Sequence, residues 1–235
     1  MGYSRINIDN VYKKVLALAN KEQRGYITPQ EFNLFADQAQ QEIFDGYFND
    51  LRTAQLKAKN NKQYSDEIET LESRISMHLS TTSIPVSGGL HSLPGNLYHI
   101  SSLTLYNTDL AKNVYVERID DNELREILIN PLTAPTAQRP VYVEQNGYAR
   151  VYPATSQSID ITYTTRPQTP NWGYVVVSGV AMYNSNTSTH FDLHASEENN
   201  LIKRILQLAG ISMKDEAFYA TGVQEERNAE AKKNN

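Results

Sequence analysis

The sequence predicts an α+β protein, with a helical body built from the N- and C-terminal segments and an antiparallel β domain inserted between them. Three observations carry this. Apolar residues recur at helical spacing through the first third of the chain. At Ser80 the composition switches from charged helix formers to Ser, Thr, Gly, Pro and β-branched residues. Helix punctuation returns at Ser196. The boundaries drawn from this are 1–80 with 190–235 for the helical body, including a C-terminal arm, and 81–189 for the β-rich domain.

Ile8, Val11, Tyr12, Val15, Leu16 and Ala19 form one stripe, so Asp9 to Asn20 is predicted as an amphipathic helix ending near Gly25. Thr28-Pro29-Gln30-Glu31 supplies an N-cap, a proline at the first helical position and the reciprocal acid of a capping box. The helix that starts there carries two stripes: Phe32, Phe35, Ala36, Ala39, Ile43 and Tyr47 on one side, and Phe44, Phe48 and Leu51 on the other. A third helix after Asn60-Asn61, with Ile68, Leu71, Ile75 and Leu79 inward, is expected to pack back along the second as a helical hairpin.

Runs rich in Val, Ile, Thr and Tyr mark strands at Leu97 to Tyr106, Asn113 to Ile119, Val141 to Gln145, Tyr148 to Pro153, Ile159 to Thr165 and Tyr174 to Met182. Asn146-Gly147 fits a type I′ turn, which makes Tyr142 to Tyr152 a hairpin. A short helix, Asp121 to Ile129, interrupts the strands. Ser196 is the expected N-cap of a final helix, with Glu197 and Glu198 in its first turn and Leu201, Ile202, Ile205, Leu206 and Ala209 as its buried stripe. Gly210 is its left-handed C-cap, and a further helix restarts at Ser212. From Glu225 the tail has no apolar stripe and reads as a frayed helix or an arm awaiting a partner.

Composition removes several function classes. The chain has no Cys, so thiolate nucleophiles, disulfides and Cys-ligated zinc or iron-sulfur centres are excluded. Its net charge of -5, with no basic arm, argues against a dedicated polyanion binder. No apolar run is long enough to span a membrane, and Met1 to Asn10 lacks the apolar core of a signal peptide. The 15 Tyr beside 6 Phe and 1 Trp suit amphipathic contact surfaces.

Catalytic and metal motifs fare poorly. Asn20 to Glu31 has Gly25, Ile27 and Glu31 where an EF-hand loop wants glycine, an aliphatic residue and a bidentate acid, but Arg24 would place a cation where calcium needs oxygen. A helix-helix turn with a capping box explains the same residues. His190, Asp192 and His194 alternate on one face but lack a further ligand nearby, and His78, His91 and His99 read as surface or interface residues. Gly-x-Ser-x-Gly, Walker A and dinucleotide-binding glycine patterns are absent. Asp120-Asp121 and Glu197-Glu198 read as helix starts rather than a glycosidase pair, and Trp172 as a packing anchor rather than a stacking platform. No catalytic residue, metal or cofactor is assigned, and the chain is expected not to be an enzyme.

Asn10 to Asn33, followed by Ala39-Gln-Gln-Glu-Ile-Phe44, resembles the ring proteins at the head-to-tail junction of crAss-like bacteriophages. The resemblance continues through Leu93-Pro94, Arg139-Pro140-Val141-Tyr142, Tyr163 to Pro167 and Phe191 to Ser212. It implies a structural virion protein, similar in role to the tail tubular or adaptor proteins of short-tailed phages. Such proteins form a ring, typically of twelve subunits, beneath the portal. The partners implied are further copies of the chain, the portal protein, other ring and tail proteins, and genomic DNA passing through the lumen without tight binding. A heterologous ring contact needs two different complementary patches. The residues expected to serve are Phe44, Phe48 and Leu51 towards neighbouring subunits, and the arm from Ser212 to Asn235, with Phe218, Tyr219, Val223 and Arg227, towards the portal or an adjacent ring. Rival readings are a soluble binding module linked to calcium or nucleic acid, and a cell-wall glycan hydrolase.

Overall fold

The structure, a computed structural model, describes residues 5–21, 27–58, 65–108 and 110–210. It is α+β and divides into two compact units, 1–74 with 167–235 and 75–166. Residues 167–189, whose strand-like composition placed them in the β domain, therefore fold with the helical ends.

In the first unit, α1 (Ile8–Lys21), α2 (Pro29–Ala58), most of α3 (Ser65–Ser76) and α5 (Glu198–Leu208) supply the helices. The expected stripe of α1 buries Ile8, Val11, Tyr12, Val15 and Ala19. On α2 it is Phe32, Ala36, Ala39 and Tyr47 that are buried, and on α5 Leu201, Ile202, Ile205 and Leu206. The capping box at the head of α2 forms as predicted. Glu31 N donates to Thr28 Oγ1 at 3.3 Å, and Thr28 N donates back to the Glu31 carboxylate at 2.9 Å. The Thr28 N–H, together with the Thr28 hydroxyl at 2.8 Å, holds the Glu31 carboxyl below its ordinary pKa.

Helix α2 packs mainly on α5 rather than on α3, which touches it where the Arg74 guanidinium lies 5.8 Å from the Tyr47 ring centre. Leu79 leaves the helix altogether and opens a strand. The start of α5 also differs from expectation. His194 Nδ1 accepts from Ser196 N at 3.2 Å and caps a short 3-10 turn, Ala195–Glu197, so Ser196 is not the cap. Glu197 is buried rather than a solvated first-turn acid. Gly210 takes the left-handed conformation its C-cap role requires, with φ +70°.

The second unit holds two sheets. A four-stranded antiparallel sheet has the order β1 (Leu79–Ile84), β9 (Ile159–Thr165), β4 (Leu97–Asn107), β5 (Lys112–Tyr115). A five-stranded sheet has the order β2 (Val86–Ser87), β3 (Leu90–Ser92), β8 (Tyr148–Tyr152), β7 (Val141–Gln145), β6 (Glu117–Arg118). All pairs are antiparallel except β6 with β7. Asn146 and Gly147 both have positive φ, 51° and 78°, so the predicted hairpin closes through the two-residue turn. Leu103, Leu105, Val151, Ile159, Ile161 and Tyr163 form the main core. Helix α4 (Asp121–Ile129) sets Leu124 against Ile119, Val141 and Val143.

His78 and His91, expected as surface or interface residues, are instead buried within the chain, at 3% and 1% exposure. Thr165 N donates to the His78 carbonyl at 2.8 Å, and the His91 Nδ1 lies 3.3 Å from the Ile84 carbonyl. Burial lowers the His91 pKa below its ordinary value. Below about pH 6.5 the unfolded chain therefore takes up a proton at His91 that the folded chain refuses. Stability is complete above that pH and falls as the pH drops towards the lowered folded value, by at most about 1.4 kcal/mol per pH unit. Melting temperatures measured from pH 7.5 to 5 should fall less steeply in His91→Gln than in the natural chain.

Candidate interaction surfaces

In the first unit, β10 (Tyr174–Val177) and β11 (Val180–Tyr183) form a two-stranded hairpin that, among the described residues, joins no other sheet. The β-branched run predicts a single strand from Tyr174 to Met182. Ser178 and Gly179, with φ 51° and 80°, instead reverse the chain. Directly paired residues share a face in such a ribbon. One face holds the pairs Tyr174 with Tyr183 and Val176 with Ala181, the other Val175 with Met182 and Val177 with Val180. Every residue of the second face is open, at 47% for Val175, 53% for Met182, 51% for Val177 and 63% for Val180. On the first face Val176 is 65% exposed. A two-stranded hairpin is marginal by itself in water, so its base must be fastened.

Trp172 fastens it. Its ring, 4% exposed, lies 4.1 Å from Tyr12 and 5.8 Å from both Tyr174 and Tyr183, centre to centre. The indole N–H donates to the Asp9 carboxylate at 3.1 Å, and its backbone N–H to Asn33 Oδ1 at 2.7 Å, tying the hairpin root to α1 and α2. Gly173 follows because nothing larger fits, since a Cβ there would sit 2.6 Å from the Thr187 backbone. Gln40, fully buried, donates to the Gln168 carbonyl at 2.8 Å and accepts from Asp192 N at 2.7 Å, holding both flanks of the segment to α2. The packing role expected of Trp172 is the one it has.

The expected neighbour-facing stripe is divided. Phe44 is 1% exposed and packs edge-on to Phe48 at 5.3 Å, so it is spent inside its own subunit. Phe48 and Leu51 are half-buried. Phe218, Tyr219, Val223 and Arg227, with the rest of the arm, lie outside the described residues. In the second unit Leu128, Ile129 and Leu132, at 49%, 82% and 94% exposure, form a smaller apolar cluster where α4 ends.

The remaining feature of the helical unit is polar, a cleft of about 480 Å³ between α2, the end of α3 and the start of α5. Arg74 pairs with Glu197 at 2.6 Å, and Asn200 donates to the other Glu197 oxygen at 3.1 Å. Arg204 binds Glu42 and holds its carboxyl below the ordinary pKa. The Tyr47 hydroxyl is buried, and desolvation raises its pKa. A glycosidase acid needs the opposite shift from the one at Glu42, and Glu197 is committed to Arg74. Replacing Arg74 by Met strands the Glu197 carboxylate. It should cost about 2 kcal/mol, below the fully buried range because Arg74 is partly solvated. Arg74→Met with Glu197→Leu should recover most of that loss in a denaturant titration.

The His190, Asp192 and His194 trio does other work. His190 Nδ1 accepts from Ile8 N at 3.3 Å, Asp192 pairs with Arg5 at 3.1 Å, and His194 caps the 3-10 turn. Among the described residues no three His, Asp or Glu side chains converge as a metal site. No protein-family model matches the chain, and no curated protein matches it either.

The hairpin surface had a signal that sequence reasoning passed over. No Asp, Glu, Lys or Arg occurs from Pro167 to Phe191, or from Ile75 to Thr108, in a chain that is 21% charged. Ser-Gly inside a β-branched run is itself a turn signal.

Proposed function

We propose that this chain is a structural ring protein of a bacteriophage head-to-tail connector, assembling with copies of itself beneath the portal in the virion. The observation that supports the reading most is the hairpin of Tyr174–Tyr183, an uncharged apolar ribbon fastened at Trp172 and uncovered on one whole face. A soluble chain gains nothing by exposing four large apolar side chains together unless another surface covers them. The resemblance of 10–33, 39–44 and the later segments to crAss-like ring proteins supplies the place. Of the four carboxylates that line the polar cleft, Glu42 and Glu197 are tied to arginines, which favours a scaffold role for that pair. A net charge of -5 suits a wall past which DNA slides, since non-specific affinity comes mainly from Lys and Arg on phosphate.

The test is the assembly state of the purified chain, alone and mixed with the portal protein of its phage, by native mass spectrometry and negative-stain microscopy. A closed ring of cyclic symmetry in either sample is the expected result. A monomer in both contradicts the proposal.

A further inference from the structure

We infer that the subunits join by β-strand addition, with β10 of one copy pairing, in the next, along the edge of β1 that no described strand covers. The inference rests on the homo-oligomeric part of the reading above, not on the virion location.

An unpaired strand edge is a hazard that folded proteins blunt with lysine, proline, bulges or extreme shortness. Three of the four outer strands of the second unit are blunted. β2 and β6 are two residues long, and β5 is four and begins at Lys112. β1 is not. It runs six residues, Leu-Ser-Thr-Thr-Ser-Ile, without a charge or proline, and its ladder to β9 is unbroken from Leu79↔Thr164 to Ile84↔Ile159. Leu79 is 45% exposed, and Thr81 and Ser83 are exposed as well. The hairpin offers the other unprotected edges. β10 is the better candidate of its two strands, because Val175-Val176-Val177 are all β-branched while β11 contains Ala181 and Met182.

Charge distribution selects the occupant. Two copies that each carry -5 repel, so they approach most easily where neither has charge. The charge-free runs Ile75 to Thr108 and Pro167 to Phe191 contain β1 and the hairpin respectively. Each chain thus owns one donor strand and one receiving edge, different from each other and present in equal number. That is the requirement for a heterologous contact, which closes into a ring when the rotation per step allows. Main-chain bonds supply the affinity, and the open Val177 and Val180 side chains gain cover on the receiving sheet.

The test uses the full chain, Val177→Lys, Thr81→Lys and their equimolar mixture in sedimentation velocity, with melting curves as a folding control. Each lysine should weaken association on the order of a hundredfold by placing a charge in a seam that otherwise has none. The natural chain should assemble and each variant alone should remain monomeric. The mixture should form a dimer and nothing larger, since one sound donor and one sound edge remain. Assembly of either variant by itself, or a mixture that stays monomeric, overturns strand addition while leaving the ring proposal standing. A natural chain that is monomeric even with its portal overturns both. Should Thr81→Lys melt early, Ser83→Lys, exposed on the same strand, replaces it.

Discussion

Trp172→Ala should cost about 4 kcal/mol, the range for truncating a buried aromatic. The indole is 4% exposed, meets Tyr12, Tyr174 and Tyr183 at once, and donates to Asp9 at 3.1 Å. Its loss removes the floor on which the first hairpin face rests, and it leaves the Asp9 acceptor without that donor. The effect should be spatially selective. Amide exchange should quicken from Tyr174 to Tyr183 and in α1, while the core around Leu103 and Ile161 in the other unit keeps its protection. Trp172→Phe keeps most of the packing and loses the hydrogen bond, so it should cost about 1–2 kcal/mol more than a neutral change. A Trp172→Ala protein that melts like the natural chain would mean the hairpin root carries no weight.

The second large effect concerns association. Val175→Lys with Met182→Glu converts the open face from apolar to charged, yet the two side chains are direct cross-strand partners, so they attract and the ribbon survives. Folding stability should change by less than about 0.5 kcal/mol, because both positions are half exposed. Self-association should fall on the order of a hundredfold or more, read from sedimentation over a concentration series. Unchanged assembly in a normally melting double variant would remove the hairpin face from the interface.

These two sites illustrate what the sequence made legible. Trp172 was readable as an anchor because a lone Trp after two prolines, in a chain whose aromatic residues are mostly Tyr, has more to gain from burial than from exposure. The capping box at Thr28 and Glu31, the Asn146-Gly147 turn and helix α4 were legible because each is a local device whose residues name their own geometry. The hairpin was not, since the strand propensity of Val175 to Val177 and Val180 on either side of Ser178-Gly179 outweighs the turn signal of that pair. Strand β1 was missed for a related reason. Its Leu79 fits the stripe of the preceding helix and its Ser and Thr residues mark only a change of composition, and it is the ladder to β9, some eighty residues away in the chain, that makes them a strand. Phe44 was misassigned because helical periodicity shows that a residue has an apolar neighbour but not whether that neighbour belongs to the same chain. Buried Glu197 was read as a helix-start acid because its partner, Arg74, is remote in sequence.

The central claim is that the chain is a stoichiometric part of a phage connector. Quantitative mass spectrometry of gradient-purified, DNA-filled virions tests it most directly, by comparing this chain's copy number with that of the portal protein. A ratio near one to one is the expected result. Absence from the particles, or a trace amount, would contradict it.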